Sequence, residues 1–433
     1  MRMNRKLAAG AIAAVLALVG SACSSAGSSG GGSDNPNGPV TLTWWHNGST
    51  DPLKSLWQQV ASDYHTMHPN VTIQVDPIQN EQFSTKIPLA LQSSDPPSIY
   101  QQWGGGQQAD QVTSGKLMDM TQAVSSWVGQ IGKTAAAWQT GGKQFGLPYE
   151  VHIAGFWYRK DLFAQAGITS PPATVDDLMA DIGKLKAANI TPMGLGSQDK
   201  WPDAFYWQYF MLRECPPAVV SSSETKQTLT DPCFTKAGED TQKLLATNPF
   251  QPGFLGTPAQ TGAGSSAGLL ANGKVAMELQ GDWEASTMAS LTSDKQLESK
   301  MAWFPFPSVP GGAGDQQVAL SGGDGFSCTS KATSACTDFL KYIDSVDVQK
   351  KIAADGIGIP VNPQAASSLT DPTLQTIFQY LQNNKISSYS VFSTNVGNAF
   401  DDAVANFFAG KGTPQSIPAA VTQSASQAGG GNR

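Results

Sequence analysis

The sequence predicts an α/β fold in which helices cover largely parallel sheets. Short alternating or apolar runs are interleaved with amphipathic stretches, and turn dipeptides punctuate them. Beyond an apolar leader and a polar spacer, roughly four hundred residues remain, enough for two domains.

Residues 40–45 alternate apolar and polar side chains and break at Asn47-Gly48, as a half-buried strand does. Asp51-Pro52 then opens a helix whose Leu53, Leu56, Trp57, Val60 and Tyr64 recur at helical spacing. A strand over 71–75, a helix over 83–91 and a strand over 99–102 follow. This strand–helix–strand–helix–strand order predicts a parallel sheet, in which ligands gather beyond the carboxyl ends of the strands. An apolar strand over 151–158 leads to a helix over 161–166 closed by Gly167. Thr174-x-x-Asp177 is a capping signal for the next helix. Trp201-Pro202 starts an aromatic helix containing Phe205, Tyr206, Trp207, Tyr209 and Phe210. Residues 268–277 read as helix, turn and strand, and 303–309 as a strand. After Cys336 the pattern is mostly helical, while residues 424–433 read as a disordered tail.

Only 14% of the 433 residues are charged, the formal net charge is −7, and no basic block occurs. This excludes nucleic acid as an expected partner. The chain has 11 tryptophans, an unusual supply of flat aromatic surface.

The N-terminus carries Arg2, Arg5 and Lys6, then an uncharged apolar run over 7–19, then Gly20, Ser21, Ala22 and Cys23. Residues 1–22 are expected to be a signal peptide. The small residues before Cys23 resemble a bacterial lipobox, with Gly20 where leucine is usual. The implied product carries a lipid on Cys23 and is anchored to the outer side of the cell membrane. Plain secretion after Ala22 is the alternative. The Ser/Gly/Asn/Pro-rich residues 23–38 read as a flexible tether.

Four further cysteines remain. Local pairing, Cys215 with Cys233 and Cys328 with Cys336, is the natural choice in an exported chain. No CxxC spacing supports metal, and neither metal nor cofactor is expected.

Several segments together resemble the extracellular solute-binding lipoproteins of bacterial carbohydrate importers, the maltose-binding-protein-like class. They are TLTWWHN at 41–47, SDPPSIYQQW at 94–103, GLPYEVHIAGFWYRKDLF at 146–163, PATVDDL at 172–178 and AMELQGDW at 276–283. The resemblance implies a type II periplasmic-binding-protein-like fold, each of two lobes a sheet flanked by helices, with a ligand clamped between. It places residues 39–148 and 301–324 in lobe 1, and 149–300 and 325–423 in lobe 2. It implies a monomer that delivers a neutral oligosaccharide to ABC importer permease subunits and is no enzyme. WWHN, QNEQF at 79–83 and QQWGGG at 101–106 are most similar to receptors for xylobiose and related β-linked oligosaccharides.

A neutral sugar needs planar polar groups around its hydroxyl rim and flat aromatics against its C–H faces. Carried over position by position, the resemblance implies ligand contacts from Trp45, His46, Asn47, Glu81, Gln102, Trp103, His152, Trp201, Trp207, Trp283, Gly323 and Asp324. Structural roles compete at several of these. Trp44 and Trp45 alternate, so one must face the core. Trp201 and Trp207 can serve the packing of their helix, His46 can be an ordinary loop residue, His152 a buried histidine, Glu81 an exposed acid and Gly323 a turn. His65 and His68 read as a solvated helix end. Two other functions stay open. A secreted glycoside hydrolase would need a carboxylate pair, for which Glu81, Glu150 and Asp324 are available. A carbohydrate-binding adhesin would bind without hinge closure.

Overall fold

The computed structural model describes residues 38–430. The signal peptide, Cys23 and the tether up to Asn37 lie outside the described residues. Among the described residues no helix is long and apolar enough to cross a membrane.

From the N-terminus the strands are β1 (Val40–His46), β2 (Val71–Pro77) and β3 (Ile99–Gln102). Next come a small hairpin of β4 (Gln139–Thr140) and β5 (Lys143–Gln144), then β6 (Leu147–Pro148), β7 (Glu150–Ile153) and β8 (Gly155–Arg159). The rest are β9 (Met193–Gly194), β10 (Met277–Gln280), β11 (Met301–Phe304), β12 (Ala319–Gly322), β13 (Gly325–Cys328), β14 (Ile359–Pro360) and β15 (Ile386–Ser388). They form a first sheet of order β2-β1-β3-β13-β6, a second of order β11-β8-β10-β9 and a small sheet of order β14-β7-β12-β15. The first and second sheets are the centres of two lobes. The small sheet lies where the chain passes between them.

Lobe 1 follows the predicted order. β1 runs parallel to β2 and β3, with Val40 opposite Val71 and Trp44 opposite Ile99. Leu42, Trp44 and His46 alternate into the core. There the Trp44 ring meets Trp57, Phe326 and Phe339 edge-on at 5.0–5.2 Å. Leu56, Trp57, Val60 and Tyr64 form the buried face of helix Leu53–Met67. β13 returns antiparallel to β3.

Lobe 2 is built on β8, which pairs antiparallel with both β10 and β11. Its core takes the aromatic helix Trp201–Glu214 and helices Thr394–Phe408 and Ser416–Gly430. The capping box forms as expected: Thr174 Oγ1 accepts from the Asp177 amide at 3.1 Å, and Asp177 Oδ2 accepts from the Thr174 amide at 3.1 Å. Both local disulfides are present, Cys215–Cys233 and Cys328–Cys336, with Cα separations of 5.2 and 6.2 Å.

Four expectations need correction. The run 151–158 is not one strand. It breaks at Ala154, and its halves join different sheets. Gly155, which opens the second half, lets the Trp303 ring pack against the backbone, because a Cβ there would sit 2.3 Å from that ring. The strand over 303–309 is only β11, since Pro305 and Pro307 have no amide to donate. The returning segment 301–324 does not belong wholly to lobe 1: β11 pairs with β8 in lobe 2, whereas β13, assigned to lobe 2, sits in the lobe 1 sheet. Helices Ala335–Ile343 and Val346–Ala354 also pack on the lobe 1 core through Phe339, Leu340 and Ile352. Finally, the low-complexity tail is helical to Gly430, anchored upstream by buried Ile417 and Val421.

Candidate functional site

A cleft of about 810 Å³ lies between the lobes. Its lobe 1 wall is made by loops at the carboxyl ends of the parallel strands, as expected for such sheets. Asn47 follows β1, Asn80 and Glu81 follow β2, and Gln102 leads from β3 into Trp103. The lobe 2 wall is aromatic. Trp201, Phe205 and Gln208 recur at helical spacing on one face of helix Trp201–Glu214. Trp283 follows β10, and Tyr389 follows β15. The Trp201 and Trp283 rings lie 6.0 Å apart, and Phe205 and Tyr389 extend the surface at 5.4 Å from each other. Among the described residues, the indole N–H groups of Trp201 and Trp283 have no hydrogen-bond partner.

The floor is polar. Asp324, between β12 and β13, accepts from Asn47 Nδ2 at 3.0 Å and from the Tyr149 hydroxyl at 3.4 Å. Its backbone carbonyl accepts the amides of Tyr149 and Glu150 at 2.8 and 3.2 Å. Burial pushes the Glu150 carboxyl up to about 8. Burial alone would lower His152, but Asp282 and Asp324 beside it hold the ring well above its ordinary value. Burial also raises Glu81, and the Asp199 carboxylate of the opposite wall adds to the rise. Lys200 contributes a cation to the cleft, paired with Asp402 at 2.5 Å.

Of the residues expected at the site, Asn47, Glu81, Gln102, Trp103, Trp201, Trp283 and Asp324 line this cleft. Gln102 is largely committed to its own loop. Its amide donates to Gln111 at 2.6 Å, and its oxygen accepts the Trp103 and Gly104 amides at 2.8 and 3.2 Å.

The others lie elsewhere. Trp45 is on the far face of β1, packed beside Phe83, Ile87 and Tyr100. His46 is fully buried between Trp44 and Trp57, and burial pushes its ring down to about 3. Trp207 is fully buried against Phe234 and Phe400. Gly323 is buried at the lobe crossing, where a Cβ would approach the Glu150 carbonyl to 2.6 Å. His152 is buried behind Trp283, edge-on at 4.8 Å, and forms no part of the cleft lining.

Asn80, in a loop the strand order already pointed to, also lines the cleft, whereas sequence reasoning missed Asp199, Phe205, Gln208 and Tyr389. Phe205 and Gln208 were discoverable from their spacing after Trp201. Tyr389 sits in a short polar stretch with no periodic signal. It closes over β12, so that a Cβ on Gly322 would meet its ring at 2.0 Å. The WGGG turn after β3 also gains a reason. Gly105 has φ +61°, and a Cβ on it would fall 1.7 Å from the Ser390 carbonyl oxygen. This close approach lets the Gly106 amide donate to Ser390 at 3.1 Å.

The sequence profile of the bacterial extracellular solute-binding protein family matches residues 47–350. A protein of Pyrococcus horikoshii described as an uncharacterized ABC transporter extracellular-binding protein is 25% identical over 403 residues, 86% of this chain and 83% of that one. The diacetylchitobiose binding protein of Streptomyces coelicolor is 23% identical, over 78% of this chain and 76% of that one. A structure from a study of xylan utilization by Caldanaerobius polysaccharolyticus matches with a TM-score of 0.82 at 23% identity, covering 88% of this chain and 99% of that one. A chitin oligosaccharide binding protein matches with a TM-score of 0.80 at 22% identity, covering 90% and 99%. These likenesses establish the two-lobed type II fold.

Proposed function

Because the chain belongs to the bacterial extracellular solute-binding protein family, we propose that it is the extracytoplasmic receptor of an ABC importer and captures a neutral oligosaccharide by closing two lobes over it. The observation that carries this reading is the division of chemistry across the cleft. Lobe 2 offers Trp201, Phe205 and Trp283 as flat apolar surface, and lobe 1 offers Asn47, Asn80 and Glu81 as amide and carboxylate groups. Aromatic faces suit the C–H faces of a sugar ring, and planar polar groups suit its hydroxyls. A ligand touching both walls favours the closed state by the contacts it gains only there.

Relatives named for diacetylchitobiose and chitin oligosaccharides, and a fold neighbour from xylan utilization, support an oligosaccharide. The WWHN and QQWGGG segments favour xylobiose or a related β-linked oligosaccharide. The reading includes a lipid on Cys23 as the membrane anchor, a monomeric receptor and docking of the loaded form on the permease. The two disulfides suit an oxidising compartment outside the cytoplasm.

A thermal-shift panel of xylo-, cello-, malto- and chito-oligosaccharides tests the proposal, since a ligand bound only by the folded state raises the midpoint. The largest rise is expected with xylobiose or xylotriose. A larger response to maltose would replace the sugar but keep the receptor, whereas no response in any series would remove the carbohydrate reading.

A further inference from the structure

We propose that Glu150, His152 and Asp324 form a binding site for one divalent transition-metal ion, with Glu150 and Asp324 at the floor of the cleft and His152 directly behind it. Among the described residues, each of the three presents one ligand atom within 4.8 Å of the other two. His152 Nε2 lies 3.6 Å from Glu150 Oε2 and 3.7 Å from Asp324 Oδ1. Those separations exceed a good hydrogen bond. They suit ligands that share an ion, each about 2.0–2.2 Å from it. His152 is 1% exposed, yet among the described residues its Nε2 has no hydrogen-bond partner, and neither has the buried Glu150 Oε1.

The support around the histidine points the same way. Its other nitrogen, Nδ1, meets Asp282 Oδ1 at 3.1 Å, and that oxygen also accepts the Ile153 amide at 3.0 Å. The second oxygen of Asp282 accepts the Ile359 amide at 3.3 Å. A carboxylate that fixes one imidazole nitrogen so that the other faces the ion is the usual outer support of a metal-ligating histidine. The three ligands are rigidly carried. Glu150 and His152 alternate on β7, so they share a face, and the Asp324 backbone is tied to Glu150 through its amide. One imidazole and two carboxylates suit Zn²⁺ or Mn²⁺ better than the all-oxygen preferences of Ca²⁺ and Mg²⁺. Glu150 and Asp324 both line the cleft, so a ligand hydroxyl can complete the ion's coordination. Only this completion of the coordination by a sugar hydroxyl rests on the oligosaccharide reading.

The rival account is an imidazolium that pairs with the two carboxylates and needs no ion. The chelator-stripped, secreted form of the protein, without sugar, is titrated with Zn²⁺ and with Mn²⁺ by calorimetry. One equivalent of at least one metal is expected to bind. His152→Gln and Glu150→Gln should each weaken that binding at least tenfold, and the surface change His65→Ala with His68→Ala should not alter it. If His152→Gln fails to fold, the His65→Ala/His68→Ala protein labelled with ¹⁵N-histidine replaces it, because only His46 and His152 then remain of the 4 histidines. One imidazole signal must shift on adding the metal. No uptake by the unsubstituted protein, uptake unchanged by His152→Gln, or two unmoved imidazole signals would each overturn the site. Sugar binding without metal uptake would leave the receptor reading standing and remove only this proposal.

Discussion

Asn47 and Asp324 are joined by a hydrogen bond of 3.0 Å from the Asn47 side-chain amide to a carboxylate oxygen. The bond ties the first loop of lobe 1 to the point where the chain re-enters that lobe. It orients both groups on the cleft floor before any ligand arrives. Asn47→Ala is therefore expected to weaken oligosaccharide binding by roughly tenfold, the scale of losing one to two hydrogen bonds to a buried partner. Its melting temperature should change little, because Asn47 is only part-buried. Calorimetry and a melting curve on the same variant check the two halves of the prediction.

Two tryptophans that the sequence places at the site should behave oppositely. Trp283 lines the cleft and Trp207 is fully buried in the lobe 2 core. Trp283→Ala should lower sugar affinity by roughly tenfold or more and leave folding intact. Trp207→Ala should cost about 3–5 kcal/mol of stability through the cavity it leaves. Denaturant midpoints and affinities of the two variants, measured side by side, decide whether these roles are assigned correctly.

Stability should fall as pH rises through neutrality. Burial pushes Asp203, Asp401 and Glu278 each up to about 7, with Asp401 raised further by Asp402. In the unfolded chain such groups release their protons near pH 4. Their stabilising contribution is thus complete below that value and is lost as pH rises through the folded value. His46 acts in the opposite sense, because its folded value is depressed, but it weakens stability only below about pH 6.5. Scanning calorimetry should show a lower melting temperature at about pH 8.5 than at about pH 6.5. Asp203→Asn and Asp401→Asn should each flatten that slope. A slope of the opposite sign would contradict the assignment.

Gly105→Ala tests the contact between the lobes at the cleft edge. The added carbon would fall on the Ser390 carbonyl, at a backbone φ of +61° that disfavours any side chain. The Gly106–Ser390 hydrogen bond should be lost. The variant should show a larger radius of gyration in solution scattering than the parent, with a weaker contraction on adding sugar.

Much of lobe 1 was legible because its strands and helices have distinct periods. Leu42 and Trp44 alternate with Thr41 and Thr43, and in lobe 2 Thr174 with Asp177 marked a helix start that forms as read. What the pattern did not carry was the choice of face. Alternation separated Trp44 from Trp45, but a parallel sheet is covered on both sides, so both indoles found packing partners and neither faces the cleft. The lobe boundary near Ala154 was hidden in an unbroken apolar run. The polar cluster at and behind the cleft floor was harder still, because Glu150, His152, Asp282 and Asp324 come together only through the crossings of the chain. No local spacing encodes that meeting. Tyr389 was silent for a similar reason: its environment is set by the close approach to Gly322 and not by its own segment.

The most direct test of the receptor account is isothermal titration of the protein with a broad oligosaccharide library, paired with solution scattering with and without the best ligand. The account predicts saturable heat with a β-linked oligosaccharide, and a smaller radius of gyration in the loaded form. A library that yields no heat from the folded protein would contradict it.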